Sequence, residues 1–137
     1  MIKSKTKITI QFNDLDPMNI VWHGNYVKYL EHARCDLFKL LNYTYMDMYN
    51  DNYMYPIAKM DLKFIKPVTF GDEIEIETTL EEIEPAIIIS YEIFNKNEKI
   101  FKAKSTQIGV LVDSKQSVYE APKNLIKKIE EYKNAKK

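Results

Sequence analysis

One long helix with a wide apolar side limits what this chain can fold into. Past Gly24-Asn25, apolar residues recur at Tyr26, Leu30, Ala33, Leu37 and Leu41, at spacings of four, three, four and four, and Val27 and Phe38 widen the same face. That is the period of an α-helix of about four to five turns. A face so broad exceeds what one partner helix covers and calls for a sheet.

The rest of the chain supplies strands for it. Thr6, Ile8, Ile10 and Phe12 alternate with Lys5, Lys7, Thr9 and Gln11, which predicts a first, half-buried strand over Thr6–Phe12. After the helix, Tyr43–Tyr55 holds five tyrosines and three methionines around the turn signal Asn50-Asp51-Asn52 and reads as loop and short helix. Ala58, Met60, Leu62 and Phe64 mark a second strand, closed by Pro67 and a turn to Gly71-Asp72. Ile74, Ile76, Thr78 and Leu80 alternate with Glu73, Glu75 and Glu77 in a third strand, which Glu84-Pro85 ends. Ala86–Phe94 is a fourth strand, Asn95–Glu98 a hairpin turn, and Lys99–Val112 a long fifth strand with Gly109 marking a bulge. Behind Pro122, Leu125, Ile126, Ile129 and Tyr132 space as a short, lysine-rich terminal helix that frays. Four successive strands joined by turns too short for crossovers pair antiparallel. The expected fold is therefore α+β, one domain over residues 1–137, with a long central helix wrapped by an antiparallel sheet of about five strands.

Composition removes several functions. Lys and Arg total 20, as do Asp and Glu, so no net charge recruits nucleic acid or an anionic membrane. Cys35 is alone, and the N-terminus interleaves lysine with isoleucine instead of presenting an apolar signal core, so a reducing cytoplasm is the default compartment. No stretch approaches the roughly 18 apolar residues of a membrane span. Gly24, Gly71 and Gly109 are too scattered for a phosphate loop, and no Gly-x-Ser-x-Gly elbow is present. On one helix, His23 and His32 would differ by about 900° and face opposite ways. His32, Cys35 and Asp36 share a face without a second cluster, so neither metal nor cofactor is expected.

What remains is the segment Phe12–Tyr29. Asp14 and Asp16 stand beside Pro17, a few residues before the helix opens. Unpaired N–H groups and the dipole at a helix start favour developing negative charge, while a nearby carboxylate acts as base or nucleophile, and together they suit acyl chemistry. Alone, Asp16 reads more often as a turn or helix-preceding acidic residue, since Asp-Pro is itself a turn signal. Asp14 reads as structural and Glu31 as solvated or at an interface.

The same residues carry a resemblance. Phe12, Asp14, Asp16, Ile20, Val21, Trp22, His23 and Tyr26 match the pattern of an aromatic followed by Asp-x-Asp-x-x-Gly-[Ile/Val]-Val-[Trp/Tyr]-[His/Tyr]-x-x-Tyr. This segment resembles the active site of hotdog-fold thioesterases of the 4-hydroxybenzoyl-CoA thioesterase type, which include the Tol-Pal-associated acyl-CoA thioesterases. The order of elements fits the hotdog fold along the whole chain, and Pro67-Val68 with Gly71-Asp72 is similar to the turn before its third strand. The resemblance implies that Asp16 is the catalytic carboxylate, that His23 contributes through its backbone N–H or its side chain, and that Ile20, Val21, Trp22, Gly24, Asn25 and Tyr26 bind substrate. Asn19 stands where the pattern has glycine, and a positive φ is expected there, because asparagine is the next residue most tolerant of it.

Two functions follow from this resemblance. One is an acyl thioester hydrolase acting on acyl-CoA or acyl-carrier-protein, with Asp16 as general base or nucleophile. The other is a non-hydrolytic hotdog protein that binds acyl thioesters beside a carrier protein in lipid or polyketide-like biosynthesis. A hotdog hydratase fits less well, since its Asp and His stand five residues apart and Asp16 and His23 are seven apart. An exposed strand edge and the resemblance together imply a homodimer or homotetramer with the site at the subunit interface. Tyr43–Tyr55, too apolar to be left wholly in water, is expected to accommodate part of the acyl group.

Overall fold

The computed structural model describes residues 2–136. The chain runs β1 (Ile2–Thr9), α1 (Asn25–Leu40), α2 (Tyr45–Asn50), β2 (Tyr53–Met54), β3 (Ile57–Phe64), β4 (Glu73–Glu82), β5 (Ile87–Asn95), β6 (Glu98–Gln107), β7 (Gly109–Leu111), β8 (Ser117–Val118) and α3 (Lys123–Ala135). The five longer strands pair antiparallel in the order β1-β4-β5-β6-β3. Ile74, Ile76, Ile87, Ile89, Tyr91, Ile93 and Phe101 are buried on the sheet, and α1 covers it with Tyr26, Tyr29, Leu30, Ala33, Leu37 and Phe38. Hydrophobic burial over this area is the main stabilising term. Val27 departs from the helical pattern: it is 38% exposed, on the rim of the apolar face.

The first strand starts and stops earlier than its alternation suggests. Ser4 and Thr6 point inward and are buried, and the Thr6 hydroxyl donates to Asp36 Oδ2 on α1 at 2.6 Å; the polar Ser4 on the inner face disguises that the strand begins back at Ile2. Phe12 is not an inward residue. Ile10 N–H donates to the Asp72 carbonyl at 2.8 Å, and the chain then leaves the sheet into a 3-10 turn at Phe12–Asp14, where Phe12 is 74% exposed.

The long fifth strand divides in two. After Gln107, which is buried and donates from Nε2 to the Tyr55 carbonyl at 2.6 Å, the chain changes sheets, and Gly109 opens β7 in a separate sheet ordered β2-β7-β8. Gly109 marks this crossing and not a bulge. A Cβ there would sit 3.2 Å from the Tyr55 ring and from Val118, tighter than an ordinary contact, so the close packing favours glycine. The β5–β6 hairpin turns through Lys96 at φ 51° and Asn97 at φ 67°, two left-handed residues whose twist suits a tight hairpin.

The terminal helix is a full thirteen residues and is docked. Leu125 is buried completely, Ile129 is buried, and Asn124 Nδ2 donates to Asp51 Oδ1 at 2.9 Å. Truncating Leu125 to alanine therefore removes core contacts and should cost about 2–4 kcal/mol of unfolding free energy. Denaturant titration of Leu125→Ala checks this, and an unchanged midpoint would mean that α3 frays away from the core.

Candidate active site

Backbone hydrogen bonds fold the residues between β1 and α1 into a tight reversal. Leu15 and Val21 pair as an isolated antiparallel bridge, Asp16 N–H donates to the Ile20 carbonyl at 2.9 Å, and Asn19 N–H donates to the Asp16 carbonyl at 3.0 Å. Within that turn Asn19 has φ 63°, the left-handed conformation expected of it. Asp16 is half-buried, and its Oδ1 accepts the Met18 N–H at 2.8 Å. Its second oxygen has no protein donor among the described residues.

Asp14 organises the other side of the segment. Its buried carboxylate accepts the Gln11 N–H at 2.9 Å, and its carbonyl accepts both the Trp22 N–H at 3.0 Å and Asn25 Nδ2 at 2.8 Å. The Tyr29 hydroxyl is buried next to this carboxylate without a well-formed hydrogen bond; burial first, and then the neighbouring charge, holds its proton far above the usual phenol range. Gly24, which caps α1, already has helical angles of φ −65° and ψ −25°, and no side chain caps the helix. The N–H groups of His23 and Gly24 find no protein acceptor among the described residues. They remain as donors at a helix start, where partial positive charge accumulates.

A cleft of about 270 Å³ brings Asp16 and His23 together. Asp16, Met18, Ile20, Val21, His23 and Tyr26 form one wall, and Phe64, Ile65, Lys66 and Pro67 the other. Trp22, Gly24 and Asn25 stand outside this lining: the Trp22 ring lies against His23 at 5.3 Å and over Gly24, where a Cβ would come within 2.3 Å of it, and the Asn25 side chain is committed to Asp14. An aromatic cluster backs the two walls. Tyr26 stacks on Phe101 at 4.8 Å, and Phe64 meets both rings edge-on at 5.2 and 5.1 Å. Burial pushes the Tyr26 hydroxyl up, so it stays a neutral phenol.

The second wall, Phe64–Pro67, goes unread in the sequence, because residues some forty positions distant meet the turn only once β3 has paired with β6. A larger hollow, about 560 Å³, lies among Lys3, Asp61, Glu92 and Lys102, on strands whose successive residues alternate between core and solvent. It contains neither Asp16 nor a helix start, and the chemistry favours the smaller cleft.

Tyr43–Tyr55 lies elsewhere. Tyr43, Met48 and Tyr55 are core residues, Tyr45 packs near Phe38 and under Arg34, and none of the segment lines the cleft. Glu31 is half-exposed and pairs with the buried Arg34. His23 precedes α1 instead of lying on it, Asp36 is engaged by Thr6, and no group of three or more His, Cys, Asp or Glu converges as a metal site among the described residues.

Comparison with known proteins agrees with this architecture. The model of the thioesterase-like superfamily matches residues 10–129. YneP of Bacillus subtilis (strain 168), provisionally named an acyl-CoA thioesterase, is 30% identical over 109 residues, covering 78% of this chain and 79% of its own. DHNA-CoA thioesterase from Staphylococcus aureus superposes with a TM-score of 0.84 at 24% identity, over 100% of this chain and 97% of that one. An aspartate-to-asparagine variant of 4-hydroxybenzoyl CoA thioesterase, complexed with 4-hydroxybenzoyl CoA, superposes with a TM-score of 0.82 at 17% identity, over 93% and 99%. At these identities the solved structures speak for the fold, which is the hotdog.

The left-handed turn makes a direct prediction. Asn19→Val places a β-branched side chain at positive φ and should destabilise the protein by about 1–2 kcal/mol, whereas Asn19→Gly should stay within about 1 kcal/mol of the parent. Denaturant midpoints of the two variants measure the difference, and equal midpoints would rule out the conformation.

Proposed function

The chain belongs to the thioesterase-like superfamily, and from that premise we propose that it is an acyl-CoA thioesterase in which Asp16 drives hydrolysis and the N–H groups at the start of α1 polarise the carbonyl. The observation that carries this reading is the meeting, along one cleft, of a carboxylate with an unclaimed oxygen and His23, whose N–H is an unclaimed donor at the helix start. As the thioester carbonyl is attacked, charge gathers on its oxygen. Fixed backbone donors stabilise that charge without reorganising. Asp16 activates water as general base, or attacks as nucleophile to form an anhydride that water then opens. His23 supplies its N–H and sets its ring on the cleft wall, while Ile20, Val21 and Tyr26 shape the acyl path against Phe64 and Ile65.

The leaving group on this reading is coenzyme A, with an acyl-carrier-protein thioester as the alternative donor, and the cytoplasm is where either is met. The 137 residues act as one hotdog domain. The non-hydrolytic alternative draws its support from Asn19 standing where the thioesterase pattern has glycine, and a turn in which Asn19 takes a positive φ removes that reason for preferring it. Homodimerisation follows from the edge strand β3, whose outer side has no strand partner among the described residues and whose Ile57 and Phe64, with the adjoining Ile65, are exposed. Pairing two such edges covers them and brings a second subunit beside the Phe64–Pro67 wall.

Asp16→Asn keeps the side chain's size while removing its basicity and nucleophilicity, so thiol release across a panel of acyl-CoA and acyl-carrier-protein substrates should fall by about two to four orders of magnitude with substrate still bound. Near-normal turnover in the folded variant would overturn the assignment. By light scattering, the mass should be at least twice the 16.2 kDa of one chain. A concentration-independent monomer would refute the β3 pairing.

A further inference from the structure

The bonds inside the Asp16 turn close it but do not aim it. Asp16 N–H to Ile20, Asn19 N–H to Asp16 and Met18 N–H to the Asp16 carboxylate all lie within the loop and would survive its swinging as a unit. At the Asn19 end, two ties reach outside. Val21 N–H donates to the Val68 carbonyl at 2.9 Å, and the Thr69 hydroxyl donates to the Asn19 carbonyl at 2.6 Å. The second tie falls on the one left-handed residue of the turn, and the Asn19 side chain makes no hydrogen bond of its own among the described residues.

Thr69 is itself held in place. Its N–H donates to Asp72 Oδ2 at 2.9 Å, its carbonyl accepts the Asp72 N–H at 3.1 Å, and the Asp72 carbonyl in turn accepts the Ile10 N–H at the end of β1 at 2.8 Å. A run of bonds therefore leads from the sheet through Asp72 and Thr69 to Asn19, three residues from the carboxylate. We propose that Thr69 is a positioning residue, whose side-chain hydroxyl sets the aim of the Asp16 turn across the cleft. This rests on Asp16 being the reacting carboxylate. Thr69 touches neither substrate nor Asp16 and acts through the Asn19 peptide. It is exposed, so removing its hydroxyl opens no cavity, and a role confined to stability would leave little trace.

Thr69→Val is close in shape and cannot donate, and Thr69→Ser keeps the hydroxyl. Kinetics on an acyl-CoA substrate that the parent protein hydrolyses, run beside Asp16→Asn, separate the possibilities. The valine variant should lose about ten- to a hundredfold in kcat, the scale of a misplacement of about 1 Å, with KM held within about twofold. Its melting temperature should stay within about 2 °C of the parent, and serine should restore kcat to within about threefold. Parental kcat in the valine variant, a loss that serine fails to restore, or a loss that tracks a lowered melting temperature would each overturn the role of Thr69 while an inactive Asp16→Asn leaves the hydrolase reading standing. Full activity of Asp16→Asn would overturn both.

Discussion

The site depends first on the stacking of Tyr26 over Phe101. Tyr26 lies in the opening turn of α1, Phe101 is a fully buried residue of β6, and the two rings are nearly parallel at 12°. This contact pins the N-terminal end of the helix to β6, one strand in from the β3 edge of the sheet. The remaining helix contacts, through Leu30, Ala33 and Leu37, fix its axis. A helix start carries useful positive potential only within its first turn, so an anchor at that turn matters more to function than equal burial farther along. Phe64, edge-on to both rings, extends the anchor to β3 and forms part of the cleft's far wall.

Around that anchor, the loop between β1 and α1 is held by many backbone bonds and few side chains. Asp14 shows how. Its carbonyl receives Trp22 N–H and the Asn25 amide while its carboxylate receives Gln11 N–H, so one buried residue ties the exit of the strand to the entrance of the helix. Asp16, two residues on, spends one carboxylate oxygen on Met18 N–H and keeps the other. Two aspartates in the same short motif thus take opposite parts, one consumed by structure and one left available. Each carboxylate holds one backbone donor, and burial decides which is which: Asp14 is buried beneath the segment, whereas Asp16 is half-buried on the cleft wall.

Much of this was legible in the chain, and the exceptions have physical causes. The helix spacing from Tyr26 to Leu41 and the alternation of Ile74, Ile76 and Leu80 are direct imprints of one-sided burial, and they located α1 and β4. The bounds of the first strand differ because the polar Ser4 faces inward ahead of the apolar alternation and Phe12 continues that alternation after the chain has turned away. The division of the fifth strand at Ile108 leaves no mark in the sequence, because neither Pro nor a charged run interrupts it; the crossing shows only in the fold, where Tyr55 and Val118 crowd Gly109. In the site, Asp16 and its neighbours are contiguous and form a recognisable pattern. The wall from Phe64 to Pro67 and the Thr69 hydroxyl belong to a connection that touches the turn only through tertiary structure, and no local periodicity encodes such a meeting.

The way β1 runs has a practical side. Ile2 pairs with Leu80 and shares a groove with Ile129 and Lys133 of the terminal helix, so the two ends of the described chain lie together. From there β1 travels its eight residues, roughly 25 Å, before the polypeptide bends toward the Asp16 turn. Both ends sit at the tail of the molecule, and the cleft opens at its head. A surface tether, a fused domain or a peptide joining one end to the other can be attached at the tail without entering the cleft lined by Asp16 and His23.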